Sequence, residues 1–388
     1  MNSVRVNRKG AERIASGNVW IFSSDVIDRG EAGPGDVVQV IDPKGRFLGT
    51  AHFSSTSQIC LRLLSLKSES ADAAFFARRI AAALAYRNRS VSNSSAYRLV
   101  FGEADQLPGL VVDRYGDYLA MQTLSQGMDR AKTEIVNCLA ELLKPLGIVA
   151  RNEVAVRERE SLPLETTMLA GEIPARVEVT MNGLRWHVDL MRGQKTGVYL
   201  DQRENYLRAA RYAGGRALDC FTSTGGFALH IGPKCESVEA VDSSGPALEA
   251  ARANALLNGM GNIAFREADV FDLLKSYSQA RHSYDTIILD PPAFAKSRGG
   301  LEGAARGYKE INLRALRMLR PGGVLISCSC SHHFSEAMLL ETIAAAALDC
   351  GKTLRVLERR TQAQDHPILL TVPETHYLKC LILEVVTP

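Results

Sequence analysis

The chain has 388 residues, 46% of them hydrophobic and 23% charged, with a formal net charge of +3. That is long enough for two or three domains with sizeable cores, and no apolar run approaches the ~20 residues of a membrane-spanning helix. The pI of about 8.4 permits an acidic partner such as RNA. It falls short of the basicity, above about pI 9, of a dedicated nucleic-acid module.

The opening, MNSVRVNRKGAERIASG, lacks the apolar stretch of a signal peptide, so the expected location is the cytoplasm. The eight cysteines should then stay reduced. No two of them form a C-x-x-C pair, and no metal site and no membrane contact are expected. Arg5, Arg8, Lys9 and Arg13 crowd this start. They read either as a solvated basic face or as contacts to RNA phosphates. Residues 1–70 are rich in short apolar runs and turn signals. GPGDVVQVIDPKGRFLGTAHFS reads as strand, turn (Asp42-Pro43-Lys44-Gly45), strand, which predicts a small β-barrel. Next, ADAAFFARRIAAALAYRNRSV (71–91) is an alanine-rich helix pattern and SNSSA a loop. YRLVF and GLVVDRYGDYLAMQTL are strand-like, and MDRAKTEIVNCLAELLKPLG is helical. Residues 71–185 are therefore expected to form a central mixed α/β domain.

From residue 186 strands alternate with helices, the sign of a parallel sheet covered on both faces. RALDC (216–220), SVEAVD (237–242), NIAFREAD (262–269), YDTIILD (284–290) and VLISCSCS (324–331) are its first five strands. TLRVLERR and YLKCLILEVV can close it. The expected class is α/β, with a Rossmann-like domain over 186–388.

Ligands of such sheets bind at the carboxyl ends of the strands, where the topology switches. Four strands end there in acids: Asp219, Asp242, Asp269 and Asp290. After the first strand, FTSTGGFALH brings Phe221 and then Gly225 and Gly226, which let the backbone approach a ligand at a helix start. Asp242 is placed to accept ribose hydroxyls, and Asp269 to meet an adenine amino group. A single terminal Asp could simply cap the next helix; four in register argue for a ligand. The turn is not G-x-G-x-x-G, which disfavours NAD. S-adenosylmethionine has no phosphate and needs only adenosine and amino-acid contacts. Together with LDPPAFAKS (289–297), these features resemble class I S-adenosylmethionine-dependent methyltransferases.

Asp290-Pro291-Pro292 follows the fourth strand, and the stiff turn projects the acid and its carbonyls over the methyl donor. Amino-group methyltransferases place an aromatic directly after the two prolines. Here Ala293 intervenes before Phe294, which counts against an amino target. Carbon 5 of a pyrimidine is a poor nucleophile unless a thiolate first adds to carbon 6. Cys328 and Cys330 lie on one face of the fifth strand. Cys330 is nearer the carboxyl edge and is the candidate nucleophile, whereas Cys328, one pleat deeper, reads as a small buried hydrophobe. An ordinary thiol has a pKa of about 8.5, so Cys330 needs local activation.

QKTGVYLDQRENY (194–206), DCFTSTGGFALH, LDPPAFAKS and SCS (329–331), with VNRKGAERIASGNVWIFSSDV at the start and FGEADQLPGLVVDRYGD (101–117) in the middle, resemble a specific family. They are similar to the ribosomal large-subunit (23S) RNA cytosine-5 methyltransferases that carry an N-terminal PUA domain. The resemblance spans nearly the whole chain. It implies a PUA-like RNA-binding module, Cys330 as nucleophile and Asp290 at the base edge. It also implies a donor wrapped by Gln202, Arg203 and Asn205, and a base held among Pro291, Pro292 and Phe294. Cys328 stands where a bulky apolar residue is expected. His332 and His333 match no pattern of the family. Asp365-His366-Pro367 lies in a loop that also resembles it; His366 is either a proton acceptor or a turn-forming residue. The PUA-like module tips Arg5, Arg8, Lys9 and Arg13 toward RNA. Two other functions stay open: an RNA amino-group (guanine N2 or adenine N6) methyltransferase without a covalent adduct, and a non-catalytic RNA-binding ribosome-assembly protein. Ribosomal RNA or a large-subunit precursor is the expected partner, and a homodimer is an admissible state.

Overall fold

The structure is a computed structural model that describes residues 1–193, 198–295 and 297–386. It divides into two compact units: Met1–Thr180, Val188–Val198 and Gln364–Thr375 in the first, and Met181–His187, Tyr199–Ala363 and His376–Pro388 in the second.

The first unit opens with β1 (Ser3–Val6), α1 (Arg8–Ala15), β2 (Trp20–Phe22), β3 (Val26–Asp28), β4 (Val37–Ile41), β5 (Phe47–Phe53) and β6 (Ile59–Ser65). The strands form one sheet in the order β2-β6-β5-β4-β1-β3. Its two edge strands are joined by Ser23–Asp25 alone. So short a link spans at most roughly 14 Å, so the edges lie close together and the sheet is curled, in keeping with the predicted barrel. Alternation does the folding: Val4, Val6, Val38 and Val40 turn inward to a core with Ile21 and Leu61, as the two-residue period of a strand requires.

The same unit continues with α2 (Ala73–Ser90), β7 (Ala96–Phe101), β8 (Leu110–Tyr115), β9 (Tyr118–Thr123), α3 (Gln126–Arg130), α4 (Lys132–Leu143), β10 (Gly147–Arg151) and β11 (Thr166–Gly171). These strands make a five-stranded sheet, β11-β10-β9-β8-β7. Phe75, Phe76 and Ile80 of α2 and Ile135 and Leu139 of α4 share a core with Leu99, Val112 and Met121 of this sheet. The Asp72 side chain caps α2 by accepting from the Phe75 amide, satisfying a donor that the first turn leaves unpaired. Next along the chain come β12 (Val177–Met181), which ends the first stretch of this unit, and β13 (Leu184–Val188), most of which belongs to the second unit.

The second unit holds α5 (Arg203–Tyr212), β14 (Arg216–Cys220), α6 (Gly226–Ile231), β15 (Ser237–Asp242), α7 (Gly245–Leu257), β16 (Ile263–Glu267) and α8 (Val270–Gln279). It is completed by β17 (Tyr284–Leu289), α9 (Leu301–Met318), β18 (Leu319–Ser329), α10 (Glu336–Asp349), β19 (Leu354–Arg360) and β20 (Lys379–Val385). The sheet order is β16-β15-β14-β17-β18-β20-β19. The first five strands are parallel and β20 runs antiparallel to both its neighbours. Chain direction across the sheet reverses between β14 and β17, which creates a crevice at their carboxyl ends. Leu218, Ile287 and Leu325 pack with Leu273 and Leu274 of α8 and Ile311 and Leu316 of α9. Central strands buried on both faces read as continuous apolar runs, and these do.

Candidate active site

The turn after β14 is held in an unusual backbone. Phe221, Ser223 and Gly225 have φ of 63°, 50° and 89°, all in the left-handed region that favours glycine. The Thr222 amide donates to the Val241 carbonyl (3.0 Å) and the Gly225 amide to the Thr222 carbonyl (2.9 Å). A Cβ on Gly226 would lie 2.4 Å from the Tyr206 ring, so this position admits no side chain without displacing that ring. Asp219 Oδ2 accepts from Thr222 Oγ1 (2.6 Å) and the Ala228 amide (2.9 Å). Its Oδ1 is buried and accepts nothing among the described residues. Burial pushes the Asp219 carboxyl up to about 7, against the pull of those two hydrogen bonds. Ser223 Oγ is a second buried oxygen without a partner among the described residues.

Asp242, at the end of β15, is half-buried and accepts from the amides of Ser223 (2.8 Å) and Ser244 (2.9 Å). Those two bonds fix the carboxylate and leave lone pairs for a ligand. Asp269 is exposed and caps α8 by accepting from the Asp272 amide (3.1 Å). Asp269 is thus the N-cap of α8, whereas Asp219 reaches the Ala228 amide of α6 from the end of the preceding strand.

Beyond β17, the Asp290 amide donates to the Cys220 carbonyl (3.3 Å), tying the end of β17 to that of β14. Gln202 Nε2 donates to Asp290 Oδ1 (3.0 Å). Asn205 Nδ2 donates to Gln202 Oε1 (2.7 Å) and to the Thr361 carbonyl (3.0 Å), and Arg360 Nε donates to Asn205 Oδ1 (2.9 Å). Arg203 is buried, and its carbonyl accepts from Asn182 Nδ2 (2.7 Å). Gln202 and Asn205 are thus locked onto Asp290; Gln194–Gly197, at the start of the same motif, lie outside the described residues.

Pro291 is buried and Pro292 exposed. The Phe294 ring lies 4.6 Å from Tyr308 and 5.7 Å from Phe271, which in turn lies 6.3 Å from Phe221. Phe221 and Phe294 therefore belong to one line of rings along this edge. Cys330 is the first residue past β18 and is half-buried. Its thiol points to the Pro291 carbonyl, 3.9 Å away. Cys328 is fully buried opposite Cys380 of β20. Burial, with the neighbouring Cys380 thiol, pushes its own thiol well above the ordinary range. The two cysteines of the strand are thus distinct in access.

His332 and His333 have rings 5.2 Å apart. His366 belongs to the first unit, where Nδ1 sits 3.2 Å from Asp365 Oδ1 and the ring 5.2 Å from Phe101. Among the described residues no three His, Cys, Asp or Glu gather in a metal-binding group. Of the four basic residues at the start, Arg5, Arg8 and Lys9 are exposed. Arg13 is committed internally: Nε lies 3.0 Å from the buried Asp25 and the guanidinium 4.7 Å from the Phe22 ring.

Three further residues gather near the ends of β17 and β18 that the sequence did not single out. Tyr199 is pushed up to about 12 by burial and by the nearby charges of Asp290, Asp201, Cys330 and Asp242. Tyr308 accepts from Ser329 Oγ (2.8 Å) and shares a hydrogen bond with Ser331 Oγ (3.0 Å), which also accepts from the Ala295 amide (3.1 Å). Lys379 is buried in β20. The signal that could have found it is a lysine interrupting the apolar run YLKCLILEVV; the tyrosines carried no such signal.

The residues present fit S-adenosylmethionine. Asp219 Oδ1 and Ser223 Oγ are buried oxygens without a partner among the described residues, and Asp242 is held by two backbone amides at the end of β15.

Comparison with known proteins agrees. Residues 151–382 match the S-adenosylmethionine-dependent methyltransferase family and residues 4–66 a PUA-like domain. The chain is 41% identical to ribosomal RNA large subunit methyltransferase I of Shewanella amazonensis, covering 99% of this chain and all of that protein. It is 42% identical to the protein of the same name from Tolumonas auensis, covering 95% of each. In fold it matches a methyltransferase solved in complex with SAH, at a TM-score of 0.86 and 22% identity over 99% of this chain and 100% of that one. A S-adenosylmethionine-dependent methyltransferase from Streptococcus mutans matches at 0.84, with the same identity and coverage. The acids at the strand ends, the two matched domains and relatives aligned over the full chain lead to one assignment: the chain belongs to the S-adenosylmethionine-dependent methyltransferase family that includes ribosomal RNA large subunit methyltransferase I.

Proposed function

We propose that the protein methylates carbon 5 of a cytosine in 23S ribosomal RNA through a covalent bond between Cys330 and carbon 6. The observation that carries this reading is the half-buried Cys330 thiol, 3.9 Å from the carbonyl of Pro291, the residue after Asp290. The names of the full-length relatives supply the ribosomal RNA. S-adenosylmethionine, held by Asp219, Phe221, Gly225, Gly226, Asp242 and Asp269, supplies an electrophilic methyl group. The Cys330 thiolate adds to carbon 6, and the electron pair displaced from the ring's double bond makes carbon 5 nucleophilic. Asp290 faces the N3 edge of the base, whose position Gln202 and Asn205 fix through that carboxylate. Once carbon 5 carries the methyl group, a base removes its proton, the double bond re-forms and the thiolate leaves. Pro291, Pro292 and Phe294 line the base, and residues 1–70 grip RNA through Arg5, Arg8 and Lys9. Residues 71–185 form the central domain and 186–388 the methyltransferase.

RNA carrying 5-azacytidine blocks the last step, so it should give a protein–RNA band that survives denaturing electrophoresis. Methylated RNA without any such band would support an amino-group target instead. Neither methylation nor a band, with S-adenosylmethionine bound, would support a non-catalytic assembly protein.

A further inference from the structure

Lys379 begins β20, and its Cα is registered opposite Ser329 at the end of β18. It is 3% exposed. Its ammonium donates to the carbonyls of Ser331 (2.7 Å) and Tyr377 (2.9 Å). An ammonium has three donors, and the third has no protein partner among the described residues. No carboxylate pairs with it there either; the Glu336 side chain is taken by Arg359 (2.5 Å). A buried, unneutralised lysine is costly, and its side chain reaches around the strand end to the residue just after Cys330.

The titratable groups around the Cys330 thiol come from five segments. Asp290 follows β17, Tyr199 precedes α5, Tyr308 lies on α9, Lys379 starts β20, and His332 stands two residues along the chain. The charge of Cys330 is felt by Tyr199, Tyr308 and Lys379. Asp290 opposes a second negative charge nearby, and the tyrosines are neutral at physiological pH. The lysine is the cation of the set. Burial pushes it down to about 8, partly offset by the charges of Cys330 and then Glu336, so it is still mostly protonated at neutral pH.

We propose that Lys379 is a positioning residue for methyl transfer, whose ammonium stabilises the Cys330 thiolate while its hydrogen bond to the Ser331 carbonyl fixes the turn that carries the nucleophile. This rests on Cys330 being the nucleophile. It supplies the activation that an ordinary thiol requires near pH 7.

The test is alkylation of the full-length protein by iodoacetamide between pH 6 and 10, with the Cys330 peptide quantified by mass spectrometry and half-buried Cys350 as internal reference. Lys379→Met should slow Cys330 labelling roughly tenfold at pH 7, about one unit of thiol pKa, and leave Cys350 labelling and donor affinity unchanged. Lys379→Arg should restore most of the rate. If the Met variant does not fold, Lys379→Gln, which keeps a donor for the carbonyls but no charge, carries the same expectation. A folded Met or Gln variant with the parent's pH profile overturns the proposal. Labelling requires no RNA, so that result would leave the covalent adduct untouched. A shifted profile without any adduct would instead overturn the nucleophile and keep the electrostatic link.

Discussion

On the β14–β15–β16 side of the sheet, carboxylates meet backbone. Asp219, Asp242 and Asp269 accept from the amides of Ala228, Ser223, Ser244 and Asp272, all within a few tens of residues. On the β17–β18–β20 side, side chains of separate elements meet at the strand ends, with partners 21 to 88 residues apart in sequence. Gln202 donates to Asp290, Tyr308 ties Ser329 to Ser331, and Lys379 reaches the turn after Cys330. The first side is built by local turns and is suited to holding a donor that every methyltransferase of the class shares. The second exists only once the whole unit has folded, and it is where a particular chemistry can be set.

If that division is right, binding and chemistry should separate under mutation. The largest effect is expected for Cys330→Ala. It should abolish methyl transfer to RNA, measured with a labelled donor, while calorimetry shows donor affinity unchanged. Cys328→Ala, on the same strand but buried, should keep activity and cost roughly 1 kcal/mol of stability. An active Cys330→Ala protein would erase the distinction between the two sides.

Asp242→Ala tests the other side. It removes charge-assisted hydrogen bonds worth about 1.5–3 kcal/mol each, so donor affinity should fall tenfold or more in calorimetry. Unchanged affinity would reduce Asp242 to a turn-holding residue.

A third change lies outside the sheet. Replacing Arg5, Arg8 and Lys9 with Ala should weaken ribosomal RNA binding several-fold, about equally across sequences. It should flatten the log–log salt dependence by roughly 0.7–0.9 per lost phosphate contact. Donor binding should not move. Arg13 is left in place because it is the nearer of the two cations on the buried Asp25 carboxylate, at 3.0 Å against 4.0 Å for Lys9. An unaltered salt slope in filter binding would place RNA recognition elsewhere.

The smallest effect is a pH dependence. Folded Asp219 keeps its proton up to about pH 7, whereas an unfolded Asp releases it near 3.9. The folded carboxyl is raised, so the donor-free protein loses stability as pH climbs from about 4 to about 7. Asp219→Asn removes that loss. The gain in melting temperature over the parent should be small at pH 4 and largest at pH 8; an equal gain at both would mean the buried charge costs nothing.

The parallel sheet was legible because its strands are apolar runs that stop at an acid, and the run length separates them from helices. Asp219, Asp242 and Asp290 could be located for the same reason. What escaped was partnership. Nothing in the sequence says that Tyr308, in the middle of α9, stands over both serines flanking Cys330, or that β20 runs antiparallel in a register that brings Lys379 to Ser329. Those depend on pairing between segments dozens of residues apart. The pairing of Arg13 with the buried Asp25, 3.0 Å away, was likewise not legible, because it joins α1 to the segment after β2.

The hydroxyls of Ser329, Tyr308 and Ser331, with the Ala295 amide, form a single hydrogen-bonded thread from the end of β18 to the loop after β17. Ser329 and Ser331 flank the cysteine, and Ala295 follows Phe294. The turn after β18 and the loop after β17 are thereby tied together by side-chain hydrogen bonds. In the proposed mechanism, where Cys330 attacks a base lined by Phe294, that thread would hold the two sides of the base site at a set separation.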